Sequence, residues 1–528
     1  MIRIREISMH PEHNVAQLSF EAAQLLRISA SKVRKLKIVR RSVDARKKPD
    51  IRIVYTIDVT VDGNEKKILK DARCKRASIA PVSYYKVPKP KGLPKHRPVV
   101  VGFGPAGMFA ALILAINGLC PIVLERGEDA ASRHAKVQKF WETGELDTKS
   151  NIQFGEGGAG TFSDGKLNTG VNNPRIGWVL EQFVKAGARE DILFDTKPHV
   201  GTDVLLTVVQ NIRQRIISLG AEVRFGAQVT DVIHKDGYLT GLQINNEEIL
   251  DCDHAVLAIG HSARDTFYML YDRGMAMEQK PFAVGARIEH KQTVINKAQY
   301  GDEEAAETLG PAEYKLTYTT EKGRGVYTFC MCPGGHVVAA ASEDGLLAVN
   351  GMSYHARNGE NANSAVLVQV SPDDFGSDHP LAGVEFQRNI ERKAFEAGGG
   401  RYTAPCQTVG SLLGNGYADT VLATYRPAVK ETDLKEVLPE FVVESIKEAL
   451  PVFGRRIAGF DAPEALLTAP ESRSSSPVRL LRETESGESV NIKGIFPSGE
   501  GAGYAGGIMS AAVDGISVAE KIIKMNNR

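Results

Sequence analysis

RPVVVGFGPAGMFAALILAINGLCPIVLERG, residues 97–127, decides the fold of this 528-residue chain. Residues 99–101 are β-branched and apolar, which predicts a short buried strand of a parallel sheet. Residues 108–117 are Ala-rich and apolar and predict the crossover helix, and residues 121–124 predict the second strand. The stretch therefore predicts one complete βαβ unit at the start of a parallel α/β sheet.

Glycines join the first strand to the helix in the pattern Gly102-Phe-Gly104-Pro-Ala-Gly107. Gly102 permits a sharp turn, Gly104 permits backbone to approach a pyrophosphate, and Gly107 permits the helix to lie close to the strand. Glu125, at the tip of the second strand, is placed to bind both hydroxyls of a ribose. The unit predicts a dinucleotide site, and a glycine-rich turn without a ligand is the alternative. The candidate residues from this unit are Gly102, Gly104, Pro105, Ala106, Gly107, Glu125 and Arg126.

Composition limits the class of protein. A hydrophobic content of 42% and a charged content of 24% are typical of a water-soluble globular chain. No apolar run approaches the ~20 residues that span a bilayer, and the N-terminal MIRIREISMHPEH has no signal core, so a cytoplasmic protein without membrane contact is expected. The six cysteines are scattered and form no CxxC pair, which predicts reduced thiols and no structural metal.

Positive charge is concentrated at the N-terminus. Residues 1–97 hold 24 Lys and Arg against 9 Asp and Glu, whereas the rest of the chain is acidic. Alternating apolar residues over 51–61 and an apolar helical pattern over 19–27 predict a basic α+β domain over residues 1–90, followed by a Pro- and Lys-rich linker over 91–97. Four interpretations of the charge stand: binding of RNA, binding of an acidic protein, docking on the acidic body of the same chain, or a basic face that is merely solvated.

A second glycine-dense segment, FGEGGAGTFSDGKL, covers residues 154–167. It lacks a preceding strand, so it is not a second dinucleotide fingerprint. So many glycines suit a backbone that wraps closely around a cofactor, and a flexible surface loop is the alternative. Lys166 is a candidate catalytic residue above the reacting end of that cofactor, or else an ordinary surface lysine. The candidate cofactor-binding residues here are Gly157, Gly158, Thr161, Ser163, Asp164 and Gly165.

The remaining segments predict a discontinuous cofactor domain over 98–274 and 466–528, with a β-rich substrate domain over 275–465 inserted between the two parts. Residues 222–225, 229–233, 239–244 and 248–252 predict a small β-meander. A hydrophobic strand ending at Ala258-Ile-Gly260 returns past the cofactor. Ala258 and Gly260 are therefore candidate cofactor contacts. The fold class is thus α/β, a Rossmann-like domain with an inserted β-rich domain and a small N-terminal α+β domain.

The C-terminal stretch GIFPSGEGAGYAGGIMSAAVDG, residues 494–515, ends a strand and begins a small-residue helix near residue 506. The first turn of such a helix offers free N–H groups and the positive end of the helix dipole. The candidate cofactor-binding residues here are Gly499, Glu500, Gly506, Gly507 and Ile508.

Two further groups carry chemistry. Cys330 and Cys332 are two residues apart on a predicted strand. Three interpretations stand: the two cysteines are redox-active, they bind a metal together with His336, or they are two small buried side chains. Arg473, in ESRSSSPVR, is a candidate catalytic residue that binds an anionic substrate, or else part of a structural interdomain loop.

Together, these segments resemble the two-dinucleotide-binding-domain flavoproteins, of the glutathione-reductase type. GEGGAGTFSDGKLNT, YTFCMCPGG, ESRSSSPVR and GIFPSGEGAGYAGGIMSAAVDG resemble, more narrowly, a bacterial family of FAD-dependent dehydrogenases or uncharacterised NAD(P)/FAD-dependent oxidoreductases. The resemblance implies that the first glycine pattern binds the ADP moiety of FAD and that Val229 contacts adenine. It also implies that Glu500 lies on the ribityl–pyrophosphate chain and that the helix at Gly506 faces the flavin pyrimidine ring.

The implied function is that of an FAD-dependent oxidoreductase that acts on a small organic molecule in an interdomain cleft. NAD(P)H is a candidate transient electron donor, although no second nucleotide fingerprint is present. The absence of paired cysteines after Glu125 argues against disulfide reduction. The alternatives are an FAD-dependent RNA-modifying or RNA-associated protein that uses the basic domain, and a binding protein in which FAD is structural.

Overall fold

The computed structural model describes residues 1–81, 85–90, 92, 94–170, 173–416 and 421–525. Its first unit is an antiparallel four-stranded sheet in the order β2-β3-β1-β4, covered by helices. Its elements are β1 (Ile2–Met9), α1 (Gln17–Leu26), β2 (Val33–Asp44), β3 (Arg52–Val61), α2 (Glu65–Ala72) and β4 (Ala77–Ile79). Tyr55, Ile57 and Val59 are buried, as the alternation predicts. Of the predicted linker, residues 91 and 93 lie outside the described residues.

The basic unit docks on the rest of the chain through charged contacts. The Arg41 guanidinium donates to both carboxylate oxygens of Asp195, at 2.6 and 2.7 Å, and Lys48 Nζ donates to the carbonyl of Ala298 at 2.5 Å. These contacts favour docking on the chain's own body as one use of the positive charge. Binding of RNA or of an acidic protein stays a prediction.

The centre of the molecule is a five-stranded parallel sheet in the order β23-β11-β5-β6-β7. Its strands are β5 (Val99–Val101), β6 (Ile122–Leu124), β7 (Glu222–Arg224), β11 (Ala255–Leu257) and β23 (Ile495–Pro497). The helices of this part are α3 (Pro105–Ile116), α4 (Ala130–Thr143), α5 (Arg175–Lys185), α6 (Thr202–Ser218), α7 (Arg264–Asp272) and α13 (Ile508–Met525). Helices α3 and α13 pack so closely that an added Cβ at Gly515 would lie 2.0 Å from the carbonyl oxygen of Ala106.

The β-meander has three strands, β8 (Val229–Lys235), β9 (Tyr238–Ile244) and β10 (Glu248–Asp251). Residues 222–225, which the sequence assigned to the meander, instead supply β7 of the parallel sheet, because their backbone pairs with β6. A three-residue strand carries too little periodicity to distinguish the two sheets.

A seven-stranded sheet in the order β14-β15-β18-β13-β21-β19-β20 forms the second layer. Its strands are β13 (Phe282–Lys291), β14 (Thr317–Thr319), β15 (Gly325–Cys332), β18 (Asn361–Val370), β19 (Ala404–Thr408), β20 (Val429–Glu431) and β21 (Leu466–Glu471). Strand β21 lies beyond the predicted boundary at residue 465 and pairs with β13 and β19, so that boundary moves to the end of β21. Its pairing partners are remote in sequence, which is why local patterns misplaced it.

Smaller elements complete the second layer. They are β12 (Met277–Gln279) with β22 (Val478–Leu480), β16 (His336–Ala339) with β17 (Val349–Met352), α8 (Gln292–Tyr300), α9 (Ala305–Leu309), α10 (Ala382–Ala397), α11 (Val409–Leu413) and α12 (Glu440–Arg456). The mixed α/β architecture is confirmed, and the glutathione-reductase layout stays a prediction. Among the helices of the described residues, none combines the length and apolarity that crossing a bilayer requires.

Candidate functional site

A cavity of about 350 Å³ opens where the parallel strands β5, β6 and β11 end. Ligands of open α/β sheets bind at the carboxyl ends of the strands, and a volume of this size accommodates a small-molecule site. The predicted residues that line the cavity are Gly102, Gly104, Pro105, Ala106, Glu125, Arg126, Gly158, Ser163, Lys166, Val229, Ala258, Gly260, Arg473, Glu500, Gly506, Gly507 and Ile508. The structure thus brings together residues from six separate segments of the chain.

The glycines of the first turn differ in what an added side chain would meet. Gly102 has φ +94°, and an added Cβ would lie 2.4 Å from the carbonyl oxygen of Ala258. Gly107 does not line the cavity, which corrects its assignment as a cofactor contact: an added Cβ would lie 2.0 Å from the carbonyl oxygen of Gly102. Gly104, the N-cap of α3, does line the cavity, and the Cβ would meet nothing closer than Gly158 Cα at 3.6 Å. Gly104 is therefore where a ligand approaches the helix N-terminus.

Glu125 is buried, and backbone N–H groups already bind it. Oε2 accepts from the N–H of Phe103 at 2.8 Å, and Oε1 accepts from the N–H groups of Gly127 and Gly155, both at 2.9 Å. A carboxylate offers about four lone-pair sites, so about one remains, on Oε2. Glu125 can therefore accept a hydrogen bond from one ribose hydroxyl, and not from both as predicted.

The glycine-dense segment is packed against the cavity and is largely buried, so the surface-loop interpretation is wrong. Some of its predicted contacts face the protein instead. Thr161 is 1% exposed and donates to the carbonyl of Glu156, and Asp164 is fully buried against Arg357 and Ser353. Added Cβ atoms at Gly157 and Gly165 would meet Thr161 Oγ1 at 2.1 Å and the N of Gly201 at 2.9 Å.

Gly499 also faces protein. Its N–H donates to Asp514 at 2.7 Å, and an added Cβ would lie 2.7 Å from the Cβ of Ala106. Five of the predicted residues therefore support the cavity wall from behind and do not line the cavity: Gly157, Thr161, Asp164, Gly165 and Gly499.

Lys166 presents a cation to the cavity. Its Nζ lies 3.6 Å from Glu313 Oε1 and 3.8 Å from Asp164 Oδ2, and Arg357 holds both carboxylates from the other side. Burial raises the pKa of Glu313, but the charges of Lys166 and Arg357 outweigh it and lower that pKa to about 2. The side chain of Lys166 is 24% exposed, so it is a positioned cavity residue and not an ordinary surface lysine.

Arg473 lies at the cavity wall, but its charge is already compensated. Its Nε and Nη2 donate to Glu391 at 2.9 and 2.8 Å, and Nη1 donates to Ser262 at 3.3 Å and to Ser342. The same carboxylate accepts two hydrogen bonds from Arg264, both at 2.8 Å. These contacts favour the structural interpretation of Arg473 over capture of an anionic substrate.

Glu500 carries a carboxyl group that is poised near neutrality. Burial raises its pKa to about 7, while the backbone N–H of Gly507 and the charge of Lys280 act in the opposite direction. A carboxyl group with this pKa holds or releases a proton at physiological pH, which a general acid or base requires.

Replacing Glu500 with glutamine tests this shift in cofactor-free protein. A carboxyl group whose pKa is raised on folding increasingly destabilises the folded state as the pH rises from about 4.5, its ordinary pKa, to about 7, its pKa in the folded chain. We expect E500Q to be more stable than the wild type by about 1–3 kcal/mol at pH 8, and this difference to fall below about 1 kcal/mol at pH 5. Urea unfolding at both pH values measures this, with E278Q as a control because Glu278 is half exposed beside Arg479. A constant difference at both pH values would contradict the shift.

Sequence patterns missed a second group of cavity residues. They are Val101, Phe103, Leu124, Gln153, Phe154, Ala159, Gly160, Asn168, Ala227, Ile259, His261, Ser262, Thr266, Phe329, Asn350, Glu471, Ser474, Ser498 and Ala511. His261 directly follows Gly260 at a strand end, and that position was a usable signal. Asn350 and Glu471 come from the second layer, and only the folded chain places them here.

The residues fit a flavin dinucleotide. Added Cβ atoms at Gly260, Gly506 and Gly507 would meet no protein atom within 4 Å, so bare backbone borders open space along the cavity. The N-terminus of α3 faces one part of the cavity and that of α13 faces another. These two positive helix ends suit a diphosphate and an electron-rich ring, respectively.

Known proteins are similar to the chain in sequence. Residues 281–474 match the family model described as FAD-dependent protein, C-terminal domain-like, and residues 1–60 match a domain of unknown function. An uncharacterised protein of Clostridium beijerinckii is 49% identical over 529 residues, which are 99% of this chain and 98% of that protein.

Solved structures are similar only weakly. Glycine oxidase from Bacillus cereus is 12% identical, with a TM-score of 0.34 over 82% of this chain and 98% of that chain. The flavin-dependent brominase Bmp2 is 13% identical, with a TM-score of 0.38 over 82% of this chain and 79% of that chain. Likenesses of this size carry no inference about the reaction.

Proposed function

This chain belongs to the same family as its Clostridium beijerinckii relative, FAD is its cofactor, and we propose that it is an oxidoreductase acting on a small organic molecule. The observation that carries the proposal is a cavity shared by two layers. Its dinucleotide end is built by the parallel-sheet layer, and Phe329, Cys330 and Asn350 of the second layer close the other end. A substrate held there lies next to the part of FAD that reacts.

The cofactor supplies acceptance and donation of electron pairs, and the chain supplies binding, orientation and charge. The N-terminus of α13, at Gly506, Gly507 and Ile508, places positive dipole at the cavity wall, where it stabilises negative charge on a reduced ring. Lys166 orients a polar or anionic substrate group. Glu500 is the group that holds or moves a proton at neutral pH.

Anaerobic titration of the purified protein tests the proposal. We expect yellow protein whose visible flavin absorbance is bleached by NADH, NADPH or an organic donor. NAD(P)H as the transient donor is part of the proposal, and the titration tests it separately from the organic donors. A flavin that no donor reduces would contradict the oxidoreductase function.

A lysine pair gives a matched test of the cavity. Lys166 and Lys197 both lie 3.6 Å from the Glu313 carboxylate, but only Lys166 lines the cavity. We expect K166M to lower kcat/KM about 10- to 100-fold, since the substrate loses a positioned charge. We expect K197M to stay near the wild-type value, with FAD bound in both variants. Equal effects in both would make Lys166 a structural residue only.

A further inference from the structure

A β-bulge in β15 points to a second redox group. Phe329 pairs with Ala365 of β18 and Cys332 pairs with Asn363, so β15 has one residue more than its partner between these pairs. Cys330, inside the bulge, has φ +43°, a conformation that side chains other than glycine rarely adopt. Bulges beside active sites re-aim a side chain, and here Cys330 lines the cavity.

The two cysteines of this bulge are close together beside a buried cation. Cys332 Sγ donates to the carbonyl of Cys330 at 3.3 Å. The guanidinium of Arg287 donates to the same carbonyl at 2.9 Å and lies 3.9 Å from Cys332 Sγ. Arg287 is fully buried and is paired with Glu471 at 2.8 Å, which fixes its position.

This environment differentiates the two thiols. A hydrogen bond from the Cys332 thiol, helped against burial by the charges of Arg287 and Lys166, lowers the pKa of Cys330 to about 6. The same hydrogen bond and burial raise the pKa of Cys332 well above its usual range. The Cys330 thiol at the cavity is therefore the more readily ionised of the two, and the Cys332 thiol behind it is the less readily ionised.

The spacing permits a bond between the two sulfurs. Residues two apart in a fully extended chain lie about 7 Å apart, and a disulfide needs Cα atoms about 4.4–6.8 Å apart. In the folded chain Cys332 Sγ lies 3.3 Å from the carbonyl oxygen of Cys330, so the second sulfur already lies beside the first cysteine. Metal binding is not favoured, because no group of three suitable ligands occurs among the described residues.

We propose that Cys330 and Cys332 cycle between dithiol and disulfide and exchange an electron pair with the flavin in the same cavity. The inference rests on the proposed function. The pair lies on the seven-stranded sheet and not in the segment directly after Glu125, which contains no cysteine pair.

The step balances without another reactant. The Cys330 thiolate and the Cys332 thiol lose two electrons and one proton, and one S–S bond forms. Bound FAD would be the oxidant that accepts the electron pair and the proton. In the reverse direction, the Cys330–Cys332 disulfide would take up an electron pair and one proton from the reduced cofactor and return to a thiolate and a thiol. The class of substrate that such a pair serves is a small thiol or disulfide that reaches Cys330 through the cavity.

Thiol counting tests the pair without relying on flavin turnover. Of the six cysteines, Cys252 and Cys406 are buried, and burial raises their pKa values to about 12 and about 11. We expect six thiols in denatured protein after reduction and four after mild oxidation of the folded protein with diamide. C330S and C332S are each expected to show five in both states. The control C120S should show five thiols after reduction and three after oxidation. Equal counts before and after oxidation of wild-type protein would overturn the proposal.

A reductive titration connects the pair to the flavin. We expect oxidised wild-type protein to take up four electrons per FAD from dithionite, and the C330S/C332S double variant to take up two. C120S should again take up four. Two electrons in the wild type would overturn the proposal. A flavin that dithionite reduces but no biological donor does would contradict the proposed function alone, because the thiol count and this titration need no such donor.

Discussion

A valine in place of Gly104 is expected to abolish FAD binding while the protein still folds. Gly104 has an extended backbone conformation open to any residue, and an added Cβ meets only ordinary contacts. The larger side chain would instead occupy the cavity at the N-terminus of α3, where the diphosphate binds. We expect the dissociation constant for FAD to rise about 100-fold or more. Flavin fluorescence titration measures it, and circular dichroism reports the fold.

Two other glycines provide the controls for this result. G102A is expected to fail by unfolding, because its Cβ would lie 2.4 Å from the backbone oxygen of Ala258 at φ +94°. G177A, in α5, meets no atom within 4 Å and lies outside the cavity, so it should bind FAD normally. Normal FAD affinity in the Gly104 variant would remove the cavity as the cofactor site.

Replacing Glu391 with glutamine is expected to cause a large loss of stability in a protein that still folds. Glu391 is fully buried and is the shared partner of Arg264 and Arg473. Removing its charge leaves the two buried guanidinium groups to share the charge of Glu343, which pairs with Arg264 at 2.7 Å. Breaking a buried pair of this kind costs about 3–5 kcal/mol. Denaturant unfolding measures the loss, and E385Q on the same helix is the control.

The control differs in exposure and not in chemistry. Glu385 also pairs with an arginine, Arg388, but its side chain is 55% exposed, so E385Q should cost no more than about 1 kcal/mol. Equal costs for the two variants would contradict the argument from burial.

The effect of E391Q also depends on pH. The charges of Arg264 and Arg473 outweigh burial and lower the pKa of Glu391 far below 4.5. A lowered pKa gives stability that is complete above the ordinary value and is lost as the pH falls below it. The difference between wild type and E391Q should therefore be constant near neutrality and shrink progressively below about pH 4. A difference that grows in acid would contradict the assignment.

Short-range patterns predicted what depends on neighbouring residues. The strand, turn and helix around Gly102 and Gly104 follow from apolar runs and glycine spacing, and β5, α3 and β6 are confirmed. The partners of Asp164 and Arg473 were not predictable in this way. Asp164 binds Arg357, and Arg473 binds Glu391, across separations of 193 and 82 residues. A single sequence carries no periodic signal for such pairings. The predicted roles of Asp164 and Arg473 therefore rest on residue type alone, without their contacts.

The bulge at Cys330 was unpredictable for a related reason. Period-two reasoning places Cys330 and Cys332 on one face of a strand. The extra residue in β15 depends on its register with β18, and this register exists only after the sheet has formed. The result is one thiol at the cavity and one behind it, an asymmetry that strand periodicity conceals.

The close packing of α3 against α13 has a consequence for biogenesis. The two helices begin at residues 105 and 508 and meet where Gly515 touches Ala106. The apolar helix α3 is therefore expected to stay partly uncovered until the segment that forms α13 has been synthesised. We therefore expect the complete cofactor cavity to form only after α13 has docked, since the N-terminus of α13 is part of the cavity wall.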